Sequence, residues 1–300
     1  MKKVSAVIVT YNRLTMLKES VKALQASETQ LSHIIIVDNN SEADTREYLE
    51  SLGNTIDYVR LPENIGGAGG FNAGIRYFYE QTDDDLVWLM DDDTMVHPET
   101  LTPMVDYADK HDSFGYLASR VMFSDGTPSV RNVLRENGTL NTTLNHEWDE
   151  PVQIENATFV SVMFPRAIVK KIGLPIRDFF IWIDDLEYTE RAGREAPGYL
   201  IPNSVVTHKM RSNTEDDITN DIESRLPWYF YLYRNRLYTA RKRSFGRHWR
   251  SNAKIAIDFM RLLVGRSSGK KQRLGVMMKG LRAGRKFNPK IEYVAVKRDF

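Results

Sequence analysis

The 300-residue chain contains no cysteine, which excludes disulfides, thiolate metal sites and cysteine nucleophiles. It also has no run of about 18 or more apolar residues, so no segment reads as a bilayer-spanning helix. The opening MKKVSAVIVTYNR passes from two lysines straight into a strand-like stretch. That stretch is too short for a signal peptide and has no small-residue cleavage site. These absences predict a protein of the cytosol or of the cytosolic face of a membrane. Repeats and low-complexity tracts are missing too, which excludes solenoids and arrays. Acidic residues are scarce in one place only. Residues 225–300 hold 21 Lys and Arg against 3 Asp and Glu, whereas residues 1–224 hold 20 against 37, so the net charge of +1 conceals a boundary near residue 225.

What is present is an ordinary core-forming composition, 42% hydrophobic, enough for one large domain or a domain with an extension. Val4–Thr10, His33–Val37, Ile56–Leu61 and Leu86–Met90 read as strands. Leu14–Ala26, residues 42–52 and Gly70–Glu80 read as helices between them. Such alternation predicts a mostly parallel sheet covered by helices on both faces. Further along, the pattern predicts helices at Pro98–His111, Arg166–Ile172 and from Asp184 to about Arg194. Strands are expected at Tyr116–Phe123, Thr158–Phe164 and Tyr199–Thr207, with a loop-rich insertion over 124–150. Residues 209–224 are polar and acidic without apolar periodicity, and are expected to be mobile.

In a sheet of this kind ligands bind at the carboxyl ends of the strands. Thr10-Tyr11-Asn12, Asp38-Asn39 and Asp91-Asp92-Asp93 all fall at such ends. Three packed carboxylates resist desolvation unless a cation or hydrogen bonds offset the cost, and oxygen-rich Mg²⁺ or Mn²⁺ sites use one or two of them with substrate phosphates. An acidic turn would have the same sequence. The stretch Asn64-Ile65-Gly66-Gly67-Ala68-Gly69-Gly70, between a strand and a helix, permits close backbone approach to a phosphate-bearing ligand or simply a tight turn. It lacks the Gly-Lys-Ser/Thr of a P-loop. Asp184, Asp185 and Glu187 open a helix, where acids are favoured as caps. The alternative role is a general base, with Trp182 in the apolar lead-in stacking on a sugar face. His208 ends an apolar strand and becomes a ligand candidate only if a carboxylate pair needs a third partner.

Several of these stretches occur in order in one family. VIVTYNR at 7–13, VDNNS at 37–41, ENIGGAGGFNAG at 63–74, WLMDDD at 88–93, FIWIDDLEYTERA at 180–192 and His208 resemble the inverting nucleotide-sugar glycosyltransferases of family 2, which have a GT-A fold. The glycine-rich stretch is most similar to the galactofuranosyltransferase branch, then to rhamnosyltransferases using dTDP-rhamnose. The resemblance covers residues 4–210 and implies a GT-A catalytic domain over 1–224, with a basic helical extension over 225–300. It implies that Thr10, Tyr11, Arg13 and Asp38 border the nucleotide, and that Asn64, Gly66 and Gly67 lie beside the diphosphate and sugar. Asp91, Asp92 and Asp93 would serve metal and nucleotide, with Asp91, Asp93 and His208 as ligands of Mn²⁺ or Mg²⁺. Asp185 takes the place of the catalytic base, with Asp184 and Glu187 beside it near acceptor hydroxyls. The family often has Glu-Asp where this chain has Asp184-Asp185, which leaves open which of the two takes the proton.

The donor implied is a UDP-sugar, with UDP-galactofuranose the first choice. The acceptor implied is a glycan, lipid-linked as is usual in cell-surface polysaccharide assembly. The extension supports a membrane setting from its own residues. Trp228, Tyr229, Phe230, Tyr231, Tyr233, Tyr238, Phe245 and Trp249 are mixed with arginines, and Ile255, Phe259, Leu262 and Leu263 form an apolar helix face. Packing on the catalytic domain is the plainer alternative. Nucleic-acid binding is not expected, because the acidic first 224 residues would repel it. A non-catalytic nucleotide-sugar-binding protein of the same fold is the alternative from another class.

Overall fold

The computed structural model describes residues 1–243 and 245–295, without the side chains of 245 and 247. Phe245, one of the extension's aromatics, therefore has its side chain outside the described residues. The β-branched run Val4–Thr10 forms β1 and is buried along its whole length, as a strand covered on both faces must be. It is flanked in parallel by β2 (His33–Asp38) and β4 (Leu86–Asp91), and β3 (Asp57–Arg60) pairs in parallel with β2. Thr10 sits opposite Asp38, and Val9 opposite Asp91. The candidate residues at three strand ends thus share one rim.

Beyond β4 the sheet is mixed rather than mostly parallel. Its nine strands run β3-β2-β1-β4-β8-β6-β9-β5, with β7 (Val152–Ile154) also on β9. β8 (Val162–Pro165) is antiparallel to β4 and to β6 (Tyr116–Phe123), while β5 (Thr94–Val96) is antiparallel to β9 (Gly198–His208). α1 (Leu14–Gln25) and α4 (Thr102–Lys110) bury Leu17, Val21, Leu24, Met104 and Val105 against one face. α3 (Gly66–Gln81), α5 (Arg166–Ile172) and α6 (Asp184–Gly193) bury Phe71, Ile75, Phe78, Val169 and Tyr188 against the other. A short α2 (Ala43–Ser51) follows β2.

Four local expectations change. The helix expected from Gly70 begins at Gly66, so the glycine stretch is its first turns and not a connecting loop. The helix expected from Pro98 begins at Thr102, because residues 97–100 form a turn. Thr100 N–H donates to the His97 carbonyl and Thr100 Oγ1 to the Val205 carbonyl. The strand expected from Thr158 begins at Val162, because Ala157 N–H is used on Thr189 Oγ1 and ladder pairing to β4 starts opposite Leu89. Residues 209–224 are docked through ion pairs and a buried apolar side chain. Arg225 binds Asp216, Arg261 binds Asp217, and the buried Arg273 donates to the carbonyls of Ile218 and Asp221. Ile218 joins the third core, with Leu226, Tyr229, Tyr233, Leu262 and Met277 of the extension.

That extension is α7 (Tyr229–Lys242), α8 (Phe245–Val264) and α9 (Lys270–Lys286), entered through a 3-10 turn at Glu223–Trp228. Gly280 and Gly284 of α9 face α7 so closely that a Cβ would lie 2.6 Å from the Phe230 carbonyl and 3.0 Å from that of Arg234.

Candidate active site

The rim of the sheet carries the acids. β4 ends at Asp91, the chain turns through Asp92 and Asp93 into β5, and β5 pairs with the end of β9 so that Thr94 stands opposite His208. Asp91, Asp93 and His208 each offer one ligand atom, all within 4.8 Å of one another. His208 Nδ1 lies 2.8 Å from Asn132 Oδ1, and Asn132 Nδ2 donates to Thr158 Oγ1 at 3.0 Å. With its oxygen facing the ring, the amide accepts from Nδ1, which then carries the proton. In the neutral tautomer Nε2 then points a lone pair at Asp93 Oδ1, 3.1 Å away. Two acceptors at that distance need a proton or a cation between them. Two carboxylates and one imidazole suit Mn²⁺ or Mg²⁺, so the residues fit the ion.

The three aspartates differ in environment. Burial works to raise Asp93, but with a proton between it and His208 the imidazolium and Arg13 outweigh burial and hold the carboxyl down at about 2. Asp91 is pushed up to about 6 by burial and by the charge of Asp93. Asp92 turns inward: it accepts the Thr10 hydroxyl at 2.7 Å, pairs with Arg13 at 3.0 Å, and burial raises it to about 7 against the pull of Arg13. Asp92 is therefore outside the three-residue metal group. Arg13, half-exposed at the start of α1, also reaches Asp93 at 2.7 Å. Thr10 and Arg13 thus hold the acids, while Tyr11 is exposed at the strand tip.

Asp38 is fully buried. It accepts the Ser41 N–H at 2.7 Å and the Tyr58 hydroxyl at 2.9 Å, and it pairs with Arg60. Its carboxylate organises the loop and Arg60 and does not reach the surface. Asn39, buried beside it, donates to the Gly66 carbonyl at 3.0 Å and fixes the start of α3. Asn64 is exposed, and its Oδ1 accepts the Gly66 N–H at 2.9 Å.

The glycines serve protein packing more than was expected. Gly66 has φ +76°, and a Cβ there would meet the Phe180 carbonyl oxygen at 2.0 Å. Gly70 would meet Val9 of β1 at 2.3 Å, whereas a Cβ at Gly67 meets nothing within 4 Å. Of the two glycines assigned to the ligand, only Gly67 faces open space.

Opposite this rim, α6 begins at Asp184 and Asp185. The residues before it are strained, with Phe180, Trp182 and Ile183 all at positive φ, between 64° and 72°. Such backbone costs of order 1–3 kcal/mol per residue and persists only when held from outside. Asn235 of α7, fully buried, holds it by donating Nδ2 toward the carbonyls of Phe179, Ile181 and Trp182 at 2.9–3.1 Å. Burial and the charge of Asp185 raise Asp184 well above the usual carboxylate range, and burial raises Asp185 to about 7 with Asp91 adding to it. The Asp91 charge acts on both, so the two acidic groups lie within electrostatic reach of each other. Asp185 Oδ1 accepts the Leu186 N–H at 2.7 Å, and among the described residues no hydrogen bond engages Oδ2.

Two expected site residues lie elsewhere. Glu187 is buried and forms a two-point pair with Arg191, at 2.8 and 3.1 Å. Trp182 packs edge-on against Trp228 and Tyr229 and under Arg225. The structure also brings in residues the sequence did not single out: Asn132 from the irregular insertion, Arg60 and Tyr58 from β3, and Asn235 from the extension. Only Arg60 had a signal, a lone cation at the end of a strand next to the one carrying Asp38.

A parallel half-sheet ending in acids, joined to a mixed half that brings a histidine to the same rim, is the architecture of a GT-A-type fold. Residues 5–173 match glycosyl transferase family 2, and the chain belongs to that family. It is a glycosyltransferase. Galactofuranosyltransferase GlfT1 of Mycolicibacterium smegmatis is 25% identical over 78% of this chain and 82% of its own length. GlfT1 of Mycobacterium tuberculosis (strain H37Rv) is 27% identical over 78% and 81%. Among solved structures, Staphylococcus aureus TarS 1–349 in complex with UDP-GlcNAc superposes with a TM-score of 0.61 at 15% identity, over 94% of this chain and 81% of that one. GalNAc-T7 with UDP, GalNAc and Mn²⁺ gives 0.56 at 15%, over 77% and 48%. This chain spans 44% of full-length TarS. At these identities the structural likeness shows the fold alone.

Proposed function

We propose that this protein is a metal-dependent inverting hexosyltransferase that moves galactofuranose from UDP-galactofuranose to a lipid-linked glycan in cell-surface polysaccharide assembly. In this reading residues 1–224 carry the catalysis, and 225–300 hold the protein peripherally on the cytosolic face of the membrane. The observation that carries it is the electrostatic proximity of the Asp91–Asp93–His208 group to Asp184–Asp185, on both of which the Asp91 charge acts. One acid set is suited to a leaving diphosphate and the other to an incoming hydroxyl. The galactofuranosyl donor is supported by relatives named for that activity at 25–27% identity. A lipid-linked acceptor is supported by a Campylobacter jejuni glucosyltransferase whose name includes a PP-undecaprenol acceptor, 26% identical over 37% of this chain. Among the described residues no helix is long and apolar enough to cross a membrane, which accords with peripheral attachment.

Asp91, Asp93 and His208 would hold Mn²⁺ or Mg²⁺. Bound there, the ion supplies positive charge to a departing UDP. Tyr11, Arg13, Asn64 and Gly67 border the nucleotide diphosphate. Asp185 Oδ2 takes the proton of the acceptor hydroxyl as its oxygen attacks the anomeric carbon and the bond to UDP breaks. Asp184, which burial and the Asp185 charge push toward its protonated, hydrogen-bond-donating form, lies beside it. One displacement inverts the anomeric centre.

The test is a screen of nucleotide sugars for Mn²⁺-dependent binding, followed by transfer to a prenyl-diphosphate-linked glycan. Asp185→Asn should lower kcat by about 10²-fold or more while UDP binding, measured by calorimetry, stays within a few-fold. Loss of UDP binding instead would remove Asp185 from the base role.

A further inference from the structure

α8 packs on the third core through Leu262, with Ile255 and Phe259 half-buried against it. Its single acid, Asp258, faces the same way, 3.2 Å from Arg236 and 3.1 Å from the Tyr233 hydroxyl. The opposite side carries Trp249, Ile257, Met260, Leu263 and Val264, each between 43% and 79% exposed, with Ala253 and Ala256 exposed between them. Helical spacing gathers these seven onto one stripe. The apolar face read from the sequence was a different one, of which only Leu263 belongs to the exposed stripe. At 20 residues, the helix presents it over about 30 Å.

Arg250, Lys254 and Arg261 follow one edge of the stripe by the same periodicity. Arg250 and Arg261 pair with Glu155 and Asp217 yet stay more than half exposed. Arg266 and Lys271 continue the exposed positive charge past the helix end. A continuous apolar stripe with a cationic margin is the pattern of a helix lying in a lipid headgroup layer. A second copy of the chain fits it poorly, since a two-fold contact would bring the two basic margins together. Nucleic acid would use the cations and leave the aliphatic stripe in water.

The same edge borders the active-site helix. Arg250, Ser251 and Lys254 of α8 line a cavity of about 220 Å³ whose other wall includes Leu186 and Glu190 of α6 together with Ile183. Leu186 adjoins Asp185.

We infer that the outward stripe of α8 is the membrane-docking face of this protein, and that its partner is an anionic phospholipid surface. Docked so, the bilayer lies beside the α6–α8 cleft, and a glycan anchored in the leaflet reaches Asp185 from that side. This last consequence rests on the transferase reading above; the docking face does not.

The experiment is flotation of the full-length protein with vesicles of phosphatidylcholine containing phosphatidylglycerol, and with phosphatidylcholine alone. The wild type should float with the anionic vesicles and lose most of its binding on the neutral ones. Ile257→Asp combined with Met260→Asp should weaken that binding by about tenfold or more, and Trp249→Ala by a smaller factor. Both variants should keep the wild-type melting temperature and the wild-type rate of UDP release to a water-soluble acceptor glycoside. A wild type that does not float, or a double variant that floats equally, overturns the inference. So does a wild-type dimer in sedimentation that the double variant abolishes, because a second copy would then own the stripe. Flotation without UDP release to any acceptor would overturn the transferase reading and leave the docking face standing.

Discussion

Asp185, the base of the proposed reaction, sits where its charge is poorly tolerated. Burial and the facing Asp91 raise it to about 7, so the ionised form that accepts a proton is the minor one below that pH. The raised value means that activity is gained, not lost, as pH climbs: kcat/KM should rise through a limb at or below about 7. A bound divalent ion cancels the Asp91 contribution and moves the limb down. A pH–rate profile at saturating Mn²⁺ reads this directly, and a flat profile from about pH 5 to 8 would refute it. In the proposed metal site His208 would bind through Nε2, its Nδ1 being engaged by Asn132. His208→Ala should cut Mn²⁺-dependent UDP affinity by about 10- to 100-fold, the range usual for a metal site losing a ligand or its support. Calorimetry with and without EDTA checks it, since metal-independent UDP binding should then be equal in variant and wild type. The acid cluster was legible in the sequence because three carboxylates at a strand tip are an electrostatic anomaly. The roles inside it were not. Asp92 has the same side chain as Asp91 and Asp93, and only the positions of Thr10 and Arg13 turn it inward.

At the scale of elements, α3 shows how composition misleads about placement. Five residues from Gly66 to Gly70, four of them glycine, read as a loop by propensity, yet they open α3, with Gly66 at φ +76° against Phe180 and Gly70 against Val9 of β1. Gly70 lets the helix approach Val9, whereas Gly67 has no neighbour on its open side. Gly70→Ala should therefore destabilise by about 1–3 kcal/mol through overpacking. Gly67→Ala should stabilise by up to about 1 kcal/mol through helix propensity. Urea denaturation of the two variants separates the cases, and equal destabilisation would show that space against β1 is not what the glycines provide. If Gly67→Ala also weakens UDP binding, the open side of the helix is where the donor lies. The regular strands and helices around the rim agreed with their hydrophobic periods, because β1, β2 and β4 are buried wherever they pair. Beyond residue 95, Tyr116–Phe123 and Arg166–Ile172 fell where their patterns put them, whereas the helix expected from Pro98 and the strand expected from Thr158 began several residues late, since partners far away in the chain, Val205 for Thr100 and Leu89 for Val162, set where they begin.

Across the whole molecule, the extension does more than carry positive charge. Asn235 reaches from α7 to the strained residues before Asp184, so the geometry of the carboxylate pair depends on a helix some 50 positions later in the chain. Asn235→Leu keeps the branched outline at somewhat larger volume and removes the donors. It should lower kcat by about 10-fold or more while the KM for donor and the metal affinity hold, because releasing strained backbone misplaces the base and not the metal group. Steady-state kinetics with a donor titration would show it, and an unchanged kcat would make the clamp merely structural.

By itself the sequence determined the parallel half of the sheet, the rim of acids at its carboxyl end, the family, and the division of charge near residue 225. Each of these is carried by local periodicity, by ordered motifs or by a count, and none needs a distant contact. Only the tertiary structure decided which aspartate binds inward, that Glu187 belongs to Arg191, that the glycines serve α3 packing, and which face of α8 is left uncovered. Those outcomes depend on partners far apart in the chain, and a side chain's chemistry does not reveal which neighbour will reach it first. The triple aspartate shows both sides: its strand tip could be read from residues 86–93 alone, but its division into two carboxylates grouped with His208 and one turned inward required Thr10, Arg13 and His208 to be in place.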